Sequence, residues 1–129
     1  AFDYAKNRKQ GGKFIIEHQA ISLMLAKMIM LLDGARLQIW KAAWLADNFH
    51  PDARVQGLIA KVRASEAAFE ICTLATEILG GAGIMYDHPV EKYLRDAVSF
   101  LHSDGTNQIC SLRVTQALRS NNKSKIYGF

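Results

Sequence analysis

Ala20-Ile21-Ser22-Leu23-Met24-Leu25-Ala26-Lys27-Met28-Ile29-Met30-Leu31-Leu32 is the stretch on which the fold turns. Apolar residues recur through it at steps of three and four, at Ile21, Met24, Leu25, Met28, Leu31 and Leu32, and the pattern continues through Ala35, Ile39 and Ala42. That period belongs to an α-helix. There is no Pro between about Ile16 and Asn48, and Gly11-Gly12 stand ahead as a turn. The spacing therefore predicts one helix about 45 Å long at the standard rise. Leu23, Ile29, Met30, Leu37 and Trp40 are apolar on its other faces. Such a helix is expected to be covered on more than one side, in the middle of a bundle or at a subunit interface. The run from Ala20 to Leu32 is too short, and with Lys27 too charged, to span a bilayer.

Downstream, His50-Pro51-Asp52 breaks the pattern and starts a second helix, with Pro51 near the first helical position and Asp52 in the acid-favouring first turn. Val55, Leu58, Ile59, Val62, Phe69, Cys72, Leu74, Ile78 and Leu79 carry it to Gly80. Ala60, Ala64, Ala67 and Ala68 leave parts of its surface small, which permits close helix approach. Gly80-Gly81-Ala82-Gly83 stops the helix. A short helix is expected from about Pro89 to Leu94, then a connection through Arg95-Asp96 to Ser103, with Arg95 and Asp96 as a structural ion pair. The last helix is expected to start near Asp104-Gly105-Thr106 and run through Ile109, Leu112, Val114 and Leu118. No stretch alternates with period two for long enough to read as a strand. The expected fold is all-α, an antiparallel helical bundle with two long helices, a short third and a C-terminal helix, in one domain over residues 1–129.

Composition narrows the function classes. The chain has 129 residues, half of them hydrophobic and 22% charged, with a net charge of +4. This is a globular composition, and its basic residues are scattered singly except between Arg119 and Lys125. A nucleic-acid surface needs a clustered stripe interleaved with aromatics, so none is expected. Cys72 and Cys110 lie in apolar stretches and read as reduced thiols. With no positive n-region, apolar h-region and small-residue cleavage site in its first residues, no secretory signal is expected. His18, His50, His88 and His102 share no ligand spacing, so no metal site is expected. Met24, Met28, Met30, Trp40 and Trp44 read as core or interface.

Six ordered motifs go further than periodicity. They are Arg8-Lys9-Gln10-Gly11-Gly12-Lys13, Glu17-His18-Gln19-Ala20-Ile21, Ala42-Ala43-Trp44, Glu77-Ile78-Leu79-Gly80-Gly81-Ala82-Gly83, Pro89-Val90-Glu91-Lys92 with Arg95-Asp96-Ala97, and Asp104-Gly105-Thr106-Asn107-Gln108-Ile109. In this order and spacing the chain resembles the C-terminal helical domain of the acyl-CoA dehydrogenase family, the medium- and short-chain enzymes most of all, from Ala1 to about Leu118. The family's N-terminal helical and middle β domains have no counterpart in these residues.

The resemblance implies an FAD-dependent oxidoreductase that removes two hydrogens from the α and β carbons of an acyl-CoA thioester, a carboxylate taking the α-proton and FAD the β-hydride. The family's base, usually Glu before Gly-Thr, falls on Asp104. Its own backbone N–H would help hold the thioester oxygen, and Gly105 would let the backbone lie close to the acyl chain. Asp is one methylene shorter than Glu, so its carboxylate would fall about 1.5 Å short on an unchanged backbone. Asp104 is thus either the base or a plain helix N-cap, with a base on an upstream helix as the third option.

For FAD, the resemblance implies contacts from Arg8 and Gln19 to the dinucleotide of a neighbouring subunit. Gly80 and Gly81 would admit the adenylate side, Glu77 stands where the family commonly has Gln, and Thr106 and Gln108 follow the base. Gly11 replaces an aromatic. It further implies an electron-transfer flavoprotein as electron acceptor, a homo-oligomer (dimer or tetramer), and a place in the bacterial cytoplasm or mitochondrial matrix. A chain of this size alone is expected to be an inactive part. The alternative is a non-catalytic helical oligomerisation module on the same fold.

Overall fold

The computed structural model describes residues 1–120. Its elements are α1 (Phe2–Asn7), β1 (Lys9–Gln10), β2 (Lys13–Phe14), a 3-10 turn (Ile15–Glu17), α2 (Gln19–Asp47), α3 (Ala53–Leu79), a 3-10 turn (Gly80–Ile84), α4 (Val90–Phe100) and α5 (Asn107–Ser120). The all-α expectation holds. The two short strands pair antiparallel across Gly11-Gly12, Lys9 opposite Phe14 and Gln10 opposite Lys13. Both turn glycines have left-handed φ, +60° and +82°, as a two-residue hairpin turn that follows strand twist requires.

α3 is the axis of the molecule, with α2, α4 and α5 packed on it. Ala60, Ala67 and Ala75 on α3 and Ala97 on α4 are buried, and these small side chains let the backbones come close. The main core sits at one end, where Ala5, Ile15 and Leu25 meet Ala75, Ile78, Leu79 and Val90. Lys27 of α2 pairs with Glu70 of α3 between the long helices.

Four expectations are corrected. α2 begins at Gln19 rather than Ile16, because His18 is extended and the Glu17 carboxylate turns back to accept the Phe14 N–H at 3.0 Å. Asp52 is the N-cap of α3 rather than a first-turn residue, and its side chain makes no capping bond. α4 runs on to Phe100, so Arg95 and Asp96 lie inside a helix. Arg95 bonds Glu91 at 2.9 Å and Lys92 pairs with Asp96, each across one helical turn; exposed pairs of this kind add a few tenths of a kcal/mol to the helix. Finally, α5 begins at Asn107, three residues after Asp104. Thr106 is its cap, its Oγ1 accepting the Ile109 N–H at 3.3 Å.

α2 ends in a turn normally closed by glycine. The His50 N–H reaches Leu45 O and the Phe49 N–H reaches Ala46 O, with Phe49 left-handed at φ +50°. That pair of bonds is the Schellman arrangement. The predicted cover over α2 is absent among the described residues. Only Leu25 and Leu45 of this helix are buried, whereas Leu23, Met30, Leu37 and Trp44, spaced by seven, are each more than half exposed. Of the two settings expected for α2, a subunit interface is the one this exposure fits.

Candidate functional site

The residues singled out from sequence gather in separate places. At the core end, a hollow of about 730 Å³ is lined by Arg8, Glu77, Gly80 and Gly81 together with Tyr4 and His18. Arg8 ends α1 with extended backbone. Its N–H is held by Tyr4 O and its carbonyl accepts the Ile15 N–H, both at 2.8 Å. His18 ties the hairpin to α2 through an Nε2 contact to Gln10 O at 3.0 Å. A side chain at Gly11 would start 3.4 Å from that imidazole and from a strained backbone, so the missing aromatic has a local cause. Gln19 is exposed at the first position of α2 and does not line the hollow.

The glycines of the Gly80–Gly83 turn do different jobs. Gly80 has φ +58°, which frees the chain to leave the helix. A Cβ on Gly81 would meet nothing within 4 Å, whereas one on Gly83 would sit 2.8 Å from Thr76 O. Gly83 is therefore a packing glycine, and Gly81 leaves open backbone beside the hollow.

Asp104 lies elsewhere, on the exposed turn between α4 and α5. Ser103 N–H closes on Ser99 O at 3.0 Å, then Asp104 (φ +54°) and Gly105 (φ +98°) both turn left-handed, and Asn107 N–H returns to Leu101 O at 3.1 Å. Asp is one of the few residues with a side chain that tolerates this conformation. Lys61 of α3 donates to Gly105 O at 2.9 Å and to Asn107 Oδ1 at 2.7 Å. Asn107 Nδ2 donates in turn to Ser65 Oγ at 2.9 Å. Asp104 and Lys61 also line one hollow of about 470 Å³, otherwise mainly apolar, with Leu32, Ile39, Ala64 and Phe100 among its walls.

Gln108 faces a third hollow, of about 500 Å³, beside Phe69 and His102. Lys61 and Glu77 are sixteen residues apart on α3, about 24 Å at the helical rise. The Arg8 and Asp104 regions of one chain therefore do not form a single site.

Sequence reading missed Lys61, Ser65 and Asn107. The signal available was a Lys and a Ser four apart on the otherwise small face formed by Ala60, Ala64 and Ala68. Cys72 and Cys110 are both free thiols. Partial burial pushes the Cys72 thiol above its ordinary value, and the nearby Asp96 charge adds to this. Among the described residues no group of three or more His, Cys, Asp or Glu could hold a metal ion.

The fold defines the class first: an antiparallel pair of long helices flanked by two shorter ones, carrying a glycine turn at the C-terminal end of α3 and an acid-bearing turn held against its middle. Residues 1–118 match the family model described as acyl-CoA dehydrogenase, C-terminal domain, and the chain belongs to that family. It is 41% identical over 118 residues to the probable acyl-CoA dehydrogenase FadE25 of Mycobacterium tuberculosis, covering 92% of this chain and 30% of that protein. It superposes on butyryl-CoA dehydrogenase from Megasphaera elsdenii with a TM-score of 0.87 at 36% identity, covering 92% and 30% of the two chains. A structure described as the electron transferring flavoprotein of Acidaminococcus fermentans gives a TM-score of 0.88 at 34% identity, covering 93% and 31%. The chain thus spans about a third of the length of the relatives it matches.

Proposed function

We propose that the chain is the C-terminal domain of an FAD-dependent acyl-CoA dehydrogenase, and that the whole enzyme α,β-dehydrogenates an acyl-CoA thioester. The observation carrying this reading is the convergence of Arg8, Glu77, Gly80 and Gly81 on one hollow, although about 70 residues separate Arg8 from the other three. The residues present fit one end of a dinucleotide. A guanidinium suits a pyrophosphate by charge and forked geometry, and the open backbone at Gly81 permits close approach. Glu77 works against the anion and tunes rather than builds the contact.

FAD, when bound, supplies the hydride acceptor. The protein's own residues do the rest. Arg8 would hold the anionic linkage, Gln19 would add a contact from the first turn of α2 outside the hollow, and Gly80 and Gly81 would leave room for the cofactor's approach. Asp104 takes the α-proton on a carboxylate oxygen while its backbone N–H polarises the thioester oxygen. Gly105 would keep the backbone low beside the acyl chain, and Thr106 and Gln108, at the start of α5, would supply polar contacts to the cofactor. The distance along α3 between the two regions supports the reading that Arg8 and Gln19 serve the FAD of a neighbouring subunit. A homo-oligomer, dimer or tetramer, follows, and the exposed stripe on α2 is its surface.

The partners are the acyl-CoA substrate and an electron-transfer flavoprotein. The protein works inside the cell, in bacterial cytoplasm or the mitochondrial matrix. α3 with its following turn is long and apolar enough by composition to cross a membrane; its place between α2, α4 and α5 supports reading it as a bundle axis.

The test is the Asp104→Asn variant of the whole flavoprotein, expected to abolish bleaching of the flavin by acyl-CoA; unchanged bleaching removes Asp104 from the mechanism. The α2 stripe equally favours a second reading, a non-catalytic oligomerisation module. Tight FAD binding by the assembled protein rejects it.

A further inference from the structure

We propose that Lys61 is a positioning residue for the proton acceptor, fixing the Asp104 turn from beneath through Gly105 O and Asn107 Oδ1. The inference rests on Asp104 being the base. Among the described residues, the Asp104 carboxylate itself makes no hydrogen bond or ion pair, so its aim is set by the backbone that carries it. That backbone holds two successive left-handed residues, Asp104 and Gly105; for Asp104, which carries a side chain, this conformation is sparsely populated and is held by its surroundings.

Lys61 supplies the determination. It sits on α3, 44 and 46 residues away in sequence from the two groups it binds. The bonds are charge-assisted and short, and so stronger than neutral ones. One grips the carbonyl of the residue next to Asp104; the other grips the first residue of α5. Asn107 is itself locked, because its amide donates to Ser65 Oγ and both residues are buried. Ser65 closes the set by donating to Val62 O at 3.0 Å on its own helix. The turn is thereby pinned to the central helix of the fold. Thr106 caps α5 independently, so the helix survives loss of the clamp while the turn loses its register. A shift of about 1 Å at the carboxylate is enough to slow proton transfer about 100-fold.

The experiment uses the whole flavoprotein carrying this domain. Lys61→Met, close in length and without donors, is expected to lower kcat about 10- to 100-fold with KM within about twofold and full FAD content. Asn107→Ala should show the same split, and the double variant should be no worse than either single, since both remove one clamp. In Lys61→Ala, added ethylammonium should restore part of kcat, which a role in folding alone would not produce. Wild-type kcat in Lys61→Met, with Asp104→Asn inactive, overturns the clamp while leaving the base in place. If Lys61→Met fails to fold, Asn107→Ala decides, and wild-type kcat there overturns it equally. Activity in Asp104→Asn removes the base and the clamp together.

Discussion

The two regions on α3 are held by different means. Around Arg8, the chain builds its hollow from neighbours in sequence: α1, the hairpin and the start of α2 form one short stretch that folds against the end of α3 over the main apolar core. Around Asp104, the support is polar and distant, a lysine and a serine from the middle of α3 reaching a turn more than 40 residues later. The first region is fixed by burial, which is non-directional and tolerant. The second depends on directed bonds to buried groups, which are costly to leave unmade. A binding surface can use the first kind. A proton acceptor that must point needs the second.

That contrast breaks first under kinetics. Asp104→Asn in the whole flavoprotein should leave FAD content intact and cost at least about 1,000-fold in flavin reduction, at the upper end of what one general base supplies. Arg8→Ala should do the reverse, weakening FAD binding by about 10-fold or more, the worth of a charged hydrogen bond, with the reduction rate of the loaded enzyme nearly unchanged. Fluorescence titration of apoprotein with FAD, beside stopped-flow reduction, separates the two. If both variants lose the same property, the two regions act as one site.

The glycine turn sharpens the comparison. Gly83→Ala forces a methyl to 2.8 Å from Thr76 O and should cost about 1–3 kcal/mol, as overpacking does. Gly81→Ala meets open space and should leave the melting temperature alone while weakening FAD binding. A Gly81→Ala variant that binds FAD as wild type does removes the glycine from the contact.

The two non-glycine residues with left-handed backbone among the described residues provide the next step down. Asp104 carries a proposed role there; Phe49, 95% exposed, carries none that the structure shows. Phe49→Gly should therefore stabilise the protein by about 1 kcal/mol in denaturant unfolding, because it relieves strain and uncovers no packing. A loss of stability would mean that Phe49 is buried in the assembly.

The smallest effect belongs to Cys72. Its thiol is raised in the folded protein by partial burial and then by Asp96, so the unfolded chain loses this proton first as pH climbs. The stability it contributes is complete below the unfolded thiol's value of about 8.5 and declines above it. A modest fall in melting temperature across that range, absent in Cys72→Ala, is the expected result.

What could be read from sequence follows the same division. The long helices and the Arg8 and Gly80–Gly81 motifs are local patterns, and each was visible in a window of a few residues. Helix ends were less legible. Arg95-Asp96 looked like a connection because both are charged, yet each satisfies its charge one turn away on an exposed face of α4. Asp104 looked like an N-cap because Asp is a good one; Thr106 took that place once Asp104 turned left-handed. Lys61 and Ser65 left a local trace on the small face of α3, but what they clamp was illegible, since no periodicity links position 61 to positions 105 and 107.

The separation along α3 also has a genetic consequence. If each chain lends Arg8 to its neighbour's cofactor and keeps Asp104 for its own, a defect beside the end of the helix damages the partner while a defect beside its middle damages its owner. Two silenced alleles, one altered at Arg8 and the other at Asp104, would then complement when co-expressed. In a random mixture of dimers about a quarter of the sites would hold both intact residues, so a cell carrying both broken copies would recover part of an activity that neither encodes alone.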